Sequence, residues 1–298
     1  MNNTHRILFE KPKLENLTRQ YTVVDLHVHT IFSDGRSSPE EVLERARQLG
    51  IGIAVTDHND IQGAVEVCRQ KRVLSIPGIE VTSRLGTHIL VYFYDIKSLE
   101  RFYLKDIRPF MGNGPMSATD LTLEEIIPRA RAYHSVVIFP HPYCAAYTGV
   151  QNQFFTQTRR QQLLELVDGV EVINAGNLKR WNLKSALLGF NLDKAITGGS
   201  DAHARHHIGR AVTYAACPNN RRAFLDAVAE RKCKVIGKEV DLFRKVADNS
   251  RKLGPNIRNT PSLMERNLKY SYQVLNVTSK NLKENVKRTL NGRFKKSA

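Results

Sequence analysis

Seven short apolar runs recur along the first two-thirds of the chain, and nearly every one ends in a histidine or a carboxylate. They are residues 21–26 (YTVVDL), 51–56 (IGIAVT), 73–81 (VLSIPGIEV), 88–94 (HILVYFY), 136–140 (VVIFP), 169–174 (GVEVIN) and 195–200 (AITGGS). Helix-like stretches separate most of them. In SPEEVLERARQLG, Ser38 caps, Pro39 takes the first helical position, acids fill the first turn and Gly50 stops the helix. TLEEIIPRARAYH and TRRQQLLELVDG also read as helices. Strand alternating with helix specifies parallel βαβ units, and seven strands suit an α/β barrel better than a sheet beside a helix bundle. The stretch 97–122, with Gly112, Gly114 and Pro115, reads as an insertion rather than core.

The C-terminal end has a different texture. Of a formal net charge of +16, the residues from Lys238 onward carry +10, from 15 Lys and Arg against 5 Asp and Glu. After a linker-like LGPNIRNTP, Met264, Leu268, Tyr272, Leu275, Leu282 and Val286 recur at helical spacing, with Lys and Arg over the rest. This basic amphipathic extension, residues 238–298, either packs on the barrel or meets an anionic partner such as nucleic acid or an acidic membrane surface. No apolar run approaches the roughly 18 to 20 residues of a membrane-spanning helix. Residues 1–20 form an N-terminal extension without the apolar region of a secretory signal, so a cytoplasmic protein is expected. Cys68, Cys144, Cys217 and Cys233 are widely spaced, which suits reduced thiols, and the N-x-T triplets at Asn2, Asn16 and Asn276 would carry glycans only in a secreted protein.

The chemistry lies at the strand ends. Asp25-Leu26-His27-Val28-His29 closes the first strand, and alternation turns both histidines to one side. Ser33-Asp34-Gly35 follows, then Thr56-Asp57-His58-Asn59, Gly78-Ile79-Glu80, His88, Pro140-His141-Pro142 and Ser200-Asp201-Ala202-His203. Any one of these could be a satisfied core histidine or a capping aspartate. Together they place nitrogen and oxygen donors wherever a strand ends, and in barrels of parallel strands those ends form the face that holds the active site. The set exceeds the needs of one ion, and its lack of cysteine argues against a structural zinc site.

The ordered set H-x-H, S-D-G, T-D-H, G-I-E, H-I-L, H-P and S-D-A-H resembles the polymerase and histidinol phosphatase (PHP) superfamily over residues 21–237. The resemblance implies a distorted seven-stranded (βα) TIM-like barrel with a trinuclear metal site for phosphoester hydrolysis. It implies that His27, His29 and Asp201 hold one ion, that Glu80 bridges to a second completed by His88 and His141, and that Asp34, His58 and His203 hold a third. Asp201, His203 and Glu80 are the candidate catalytic residues. Two or three divalent ions, Zn, Mn or Fe, are the expected cofactors. Aspartate at position 34, where some members have histidine, is similar to the branch acting on nucleotides and nucleic acids.

Arg36, Arg84, Arg205, His206, His207 and Arg210 stand beside the motif loops as candidate phosphate donors, of which one or two would serve. Asp25 and Asp57 either accept from a ligand imidazole or brace loops. Glu171 and Asn174 either touch substrate or brace a ligand, and His134 suits a helix-end cap or dipole partner. The basic extension tilts the substrate toward a nucleotide or nucleic-acid 5′-phosphate. A small-molecule phosphatase of the histidinol-phosphate type and a non-catalytic PHP-fold binding protein using its basic tail are the alternatives.

Overall fold

The computed structural model describes residues 6–112, 118–144, 148–152 and 155–239, all within one unit, Met1–Val240. Gly114, Pro115, Asn2, Asn276 and the whole amphipathic stripe from Met264 to Val286 lie outside the described residues. The ten strands are β1 (Ile7–Leu8), β2 (Thr22–Val28), β3 (Gly52–Val55), β4 (Ser75–Thr82), β5 (His88–Phe93), β6 (Ser135–Phe139), β7 (Gly169–Asn174), β8 (Ala195–Gly199), β9 (Ala211–Ala215) and β10 (Lys234–Gly237). They form one sheet in the order β1-β10-β9-β2-β3-β4-β5-β6-β7-β8.

Strands β2 to β8 are the seven that the sequence marks. The sheet curls until the residues after β8 meet β2 again: the His29 amide donates to the Ala202 carbonyl at 3.0 Å, and Val28 bridges Ala202 in parallel. The result is a TIM-like α/β barrel. It departs from a run of parallel units at β5, which is antiparallel to both neighbours. The reason is local. Only residues 83–87 separate β4 from β5, closed by the Ser83 amide on Thr87 O at 2.9 Å, with Gly86 at φ 81°. Parallel strands need a long crossover, whereas so short a link makes a hairpin. Beyond the seven, β9 lies antiparallel to β2 and to β10, and β1, from the N-terminal extension, pairs in parallel with β10.

Two apolar clusters follow from strand alternation. Val24, Leu26, Ala54, Ile76, Leu90, Tyr92, Val136 and Ile138 fill the barrel under the site, with Phe224, Leu225 and Val228 of the helix Arg221–Ala229. The opposite strand faces meet the surrounding helices through Val42, Leu43, Val67, Ile126 and Leu163. The helix Pro39–Leu49 has the expected ends: Ser38 and Glu41 form a reciprocal capping box and Gly50 is left-handed. The segment expected to be an insertion contributes Leu99, Phe102 and Ile107, each fully buried, to the outer cluster. Its helix Ile96–Phe102 runs on into a π-helical turn, Tyr103–Ile107.

Candidate metal centre

A shift in the β2 register against β3 between Asp25 and Val28 sets the site. Val24 and Leu26 face the inner cluster, but Val28 faces the outer one. This bulge-like irregularity brings His27 and His29 onto the inner side, where regular alternation from Leu26 would have turned them out. Both rings are almost wholly buried. Glu80 lies on β4 opposite Leu90, so it points inward from the neighbouring wall. His88 opens β5 rather than closing it. Because β5 is antiparallel, its first residue pairs with Thr82 at the last position of β4, and the hairpin returns it to the rim where the parallel strands end. His141 and Asp201 follow β6 and β8 with left-handed backbones (φ 29° and 50°), and Asn59 beside His58 has φ 49°. Strained conformations of this kind cost of order 1–3 kcal/mol each and persist where surrounding structure dictates them.

All nine residues singled out in the sequence converge. Glu80 is the hub: its Oε2 lies 3.3 Å from His27 Nε2, 3.4 Å from His29 Nε2 and 3.1 Å from His58 Nδ1. Its Oε1 lies 3.0 Å from His88 Nδ1 and 3.4 Å from His141 Nε2. Asp201 Oδ1 stands 3.1 Å from His29 Nε2 and 3.6 Å from His27 Nε2. Asp34 contacts His203 at 2.7 Å and lies 3.7 Å from His29 and 3.9 Å from His58. Four overlapping groups have spacing that could hold a cation: His29, Asp34, His58 and His203; His27, His29 and Asp201; His27, Glu80 and His141; and His58, Glu80 and His88.

The donor set fits cations. His27 Nδ1 lies 3.1 Å from Glu171 Oε1; burial favours the neutral ring, but the carboxylates of Glu171, Glu80 and Asp201 outweigh it and raise this imidazole well above its usual range. Its Nε2 faces His29 Nε2 at 3.1 Å and two carboxylate oxygens. Buried Asp34 Oδ1 and His29 Nδ1 have no hydrogen-bond partner. Ring nitrogens and carboxylate oxygens packed this closely, with buried polar atoms left unsatisfied, suit positive charge shared among them, as protons or as cations. Burial alone would lift the Glu80 and Asp201 carboxyls; the imidazoles outweigh it and hold both well below the usual carboxylate range. Burial drives His58 down to about 3 despite Glu80, whereas Asp34 overcomes burial at His203 and raises it to about 9.

The supporting residues sort themselves by partner. Glu171 accepts from His27, from the His141 amide at 2.9 Å and from Asn174 Nδ2 at 2.9 Å, and Asn174 also reaches Asp201 at 3.3 Å. Both brace ligand-bearing residues. Asp25 and Asp57 brace loops: Asp25 accepts the Gly209, Ser200 and His27 amides, and burial lifts it to about 6 against their pull. Asp57 accepts the Thr30 amide and hydroxyl and the Ser33 hydroxyl at 2.6–2.7 Å. Gly35 is required because a Cβ there would stand 2.4 Å from the His29 carbonyl. Among the candidate phosphate donors, Arg205 pairs with Glu41 at 3.6 Å and Arg84 donates to the Asp120 carbonyl, while Arg36 binds through its amide to His203 O at 2.8 Å. His134 stacks on Tyr94 at 4.3 Å. Cys144, which no sequence signal marked, lies beside His141; burial favours its thiol, but that imidazole brings it down to about 7.

The PHP domain family model matches residues 25–168, and the PHP-associated model matches residues 179–233. The chain belongs to the PHP family. It is a metal-dependent phosphoester hydrolase of that family in class. An uncharacterized protein of Methanocaldococcus jannaschii is 31% identical over 163 residues, covering 51% of this chain and 81% of the relative. The 5′-3′ exoribonuclease Rnm of Escherichia coli is 36% identical over 78 residues, 24% of this chain and 26% of that protein. Among solved structures, the lesion-specific endonuclease PfuEndoQ of Pyrococcus furiosus shares the fold at TM-score 0.57 and 16% identity, over 72% of this chain and 57% of that one. Among the described residues no helix is long and apolar enough to cross a membrane, and the four cysteines are free.

Proposed function

We propose that residues 21–237 form a phosphoesterase domain that hydrolyses nucleotide or nucleic-acid 5′-phosphoesters at a di- or trinuclear metal centre. The observation that carries it is Glu80, whose two oxygens each face a separate set of imidazoles, as a carboxylate shared between cations would. His27, His29 and Asp201 would hold one ion and Asp34, His58 and His203 another. Glu80 would hold a further one with His88 and His141, although the spacing groups His88 with His58 and His141 with His27 rather than with each other. Bound divalent ions supply Lewis acidity and charge neutralisation for phosphoryl transfer to water. The protein's part is position: Glu171 fixes the His27 tautomer and holds the His141 backbone, and the Asp201 carbonyl accepts from His203 Nδ1 at 2.9 Å, leaving Nε2 for the site. Pre-placed ligands of this kind leave little reorganisation for the reaction itself. The His and carboxylate donors suit Zn, Mn or Fe. A nucleic-acid substrate is supported by the exoribonuclease relative, by the endonuclease sharing the fold and by Asp34.

The test joins metal analysis to hydrolysis of an aryl phosphate ester by wild type and Asp201→Ala. Two or three equivalents of metal, with turnover lost in the variant, are expected. Sub-stoichiometric metal that added Mn or Zn does not restore, with no turnover, would remove the catalytic reading.

A further inference from the structure

A cavity of about 470 Å³ opens on the barrel flank between the helices Gln157–Leu166 and Lys179–Asn191. Its upper end is formed by Tyr143, two residues beyond His141, and by Gln151, whose amide donates to the Pro142 carbonyl at 2.9 Å. Three residues of extended chain reach at most about 10 Å, so Tyr143 lies within that distance of His141 along the backbone. Its lower end is Lys194, next to the start of β8, with the ammonium pinned on the Glu165 and Val167 carbonyls at 3.0 and 2.6 Å. Between them the helix from Gln157 to Glu165 gives a length of about 12 Å. The groove therefore runs down the outside of the barrel from the segment that follows His141.

The lining has the mixture that a nucleotide strand requires. Leu164 and Leu188 make an apolar floor, Tyr143 offers an aromatic face, Gln151 and Gln161 offer amides, and Arg160 supplies a guanidinium. Lys184, outside the lining, stands 5.8 Å from the Tyr143 ring centroid and 4.9 Å from that of Trp181. Flat apolar and aromatic walls take the faces of bases, carboxamides can meet their edges, and cations meet the phosphates between them. The volume falls within the ordinary range of small-molecule sites, ~300–1,000 Å³.

We infer that this groove binds the nucleotides adjoining the phosphoester held at the metal centre, so that the enzyme acts on a strand rather than on a free mononucleotide. The inference rests on the nucleic-acid reading above. It is tested with kcat/KM for 5′-phosphorylated oligonucleotides of increasing length, beside an aryl phosphate ester, for wild type, Leu188→Trp and Arg160→Glu. Leu188→Trp fills the groove; Arg160→Glu reverses a charge on an outer helix and guards against a packing failure in the first. Wild type should gain about tenfold in kcat/KM when the strand first enters the groove, the lower end of what one stacked base provides. The variants should lose that gain and keep aryl ester turnover. A 4-thiouridine strand should photo-crosslink to Tyr143 or Gln161 in metal-depleted protein. Equal length dependence in all three proteins, with crosslinks elsewhere, would overturn the groove and leave the nucleic-acid reading standing. Aryl ester hydrolysis without cleavage of any oligonucleotide by wild type would overturn both.

Discussion

Glu171 receives three donors, the His27 ring, the His141 amide and the Asn174 carboxamide, at 2.9–3.1 Å in a fully buried position. Replacing it with glutamine keeps the volume but sets an amide group against donors. A partner of this kind is worth roughly 10–100-fold in metal affinity, so Glu171→Gln should lose about that much in chelator competition while unfolding remains cooperative; unchanged affinity would show that His27 holds its tautomer without it. His203 makes a second prediction. In the metal-free protein Asp34 raises its imidazole to about 9 against the effect of burial, so near neutral pH a proton occupies the nitrogen that a cation would need. Metal uptake there should release a proton, strengthen as pH rises to about 9 and level off above it. Calorimetry in buffers of different ionisation enthalpy reads the proton directly, and uptake that stays flat from pH 7 to 9 would count against His203 as a ligand.

The β4–β5 hairpin decides the orientation of His88, and its turn depends on Gly86 at φ 81°, where an added Cβ would meet nothing within 4 Å. The cost of Gly86→Ala is then backbone conformation alone, about 1–2 kcal/mol, which urea unfolding should show; a neutral result would mean that the turn relaxes to another type. This element also shows what the sequence could and could not tell. The seven barrel strands were legible because each is a continuous apolar run bounded by polar residues. The convergence of His27, His29, Asp34, His58, Glu80, His141, Asp201 and His203 followed from their places at or just beyond strand ends, whereas that of His88, at the start of β5, did not. The direction of β5 was not read, though it depends on a link too short for a crossover. Strands β9 and β10 were missed because AVTYA and KVIG are short and weakly apolar. The loop roles of Asp25 and Asp57 were undecidable, since Gly209 lies 184 residues from Asp25 and sequence carries no trace of that bond.

At the scale of the whole molecule, the helix Ile96–Phe102 and the turn Tyr103–Ile107 join the outer cluster of the barrel through Leu99, Phe102 and Ile107. Phe102 packs on Phe93 of β5 at 5.3 Å and on Tyr133 at 5.9 Å. Phe102→Ala should cost about 3–5 kcal/mol in a single unfolding transition; a small, separate transition would mark the segment as a detachable appendage. The closure between β2 and β8 has a further consequence. Near the site the two edges meet through the His29 amide on Ala202 O and the Ala202 amide on His27 O, at 3.0 and 3.4 Å. Lower down, the Gly198 and Ser200 amides are taken by the side chains of Thr213 and Asp25 instead of by a neighbouring strand. The wall is thus thinnest in main-chain bonding along one line, and the ligand candidates stand on both sides of it: His27 and His29 on one edge, Asp201 and His203 on the other. A cation gripped from both edges would act as a rivet across that line. Stripped of it, the barrel should breathe there first, and deuterium should enter at the amides of Gly198, Ser200 and Ala202 well before it reaches the β3–β4 ladder.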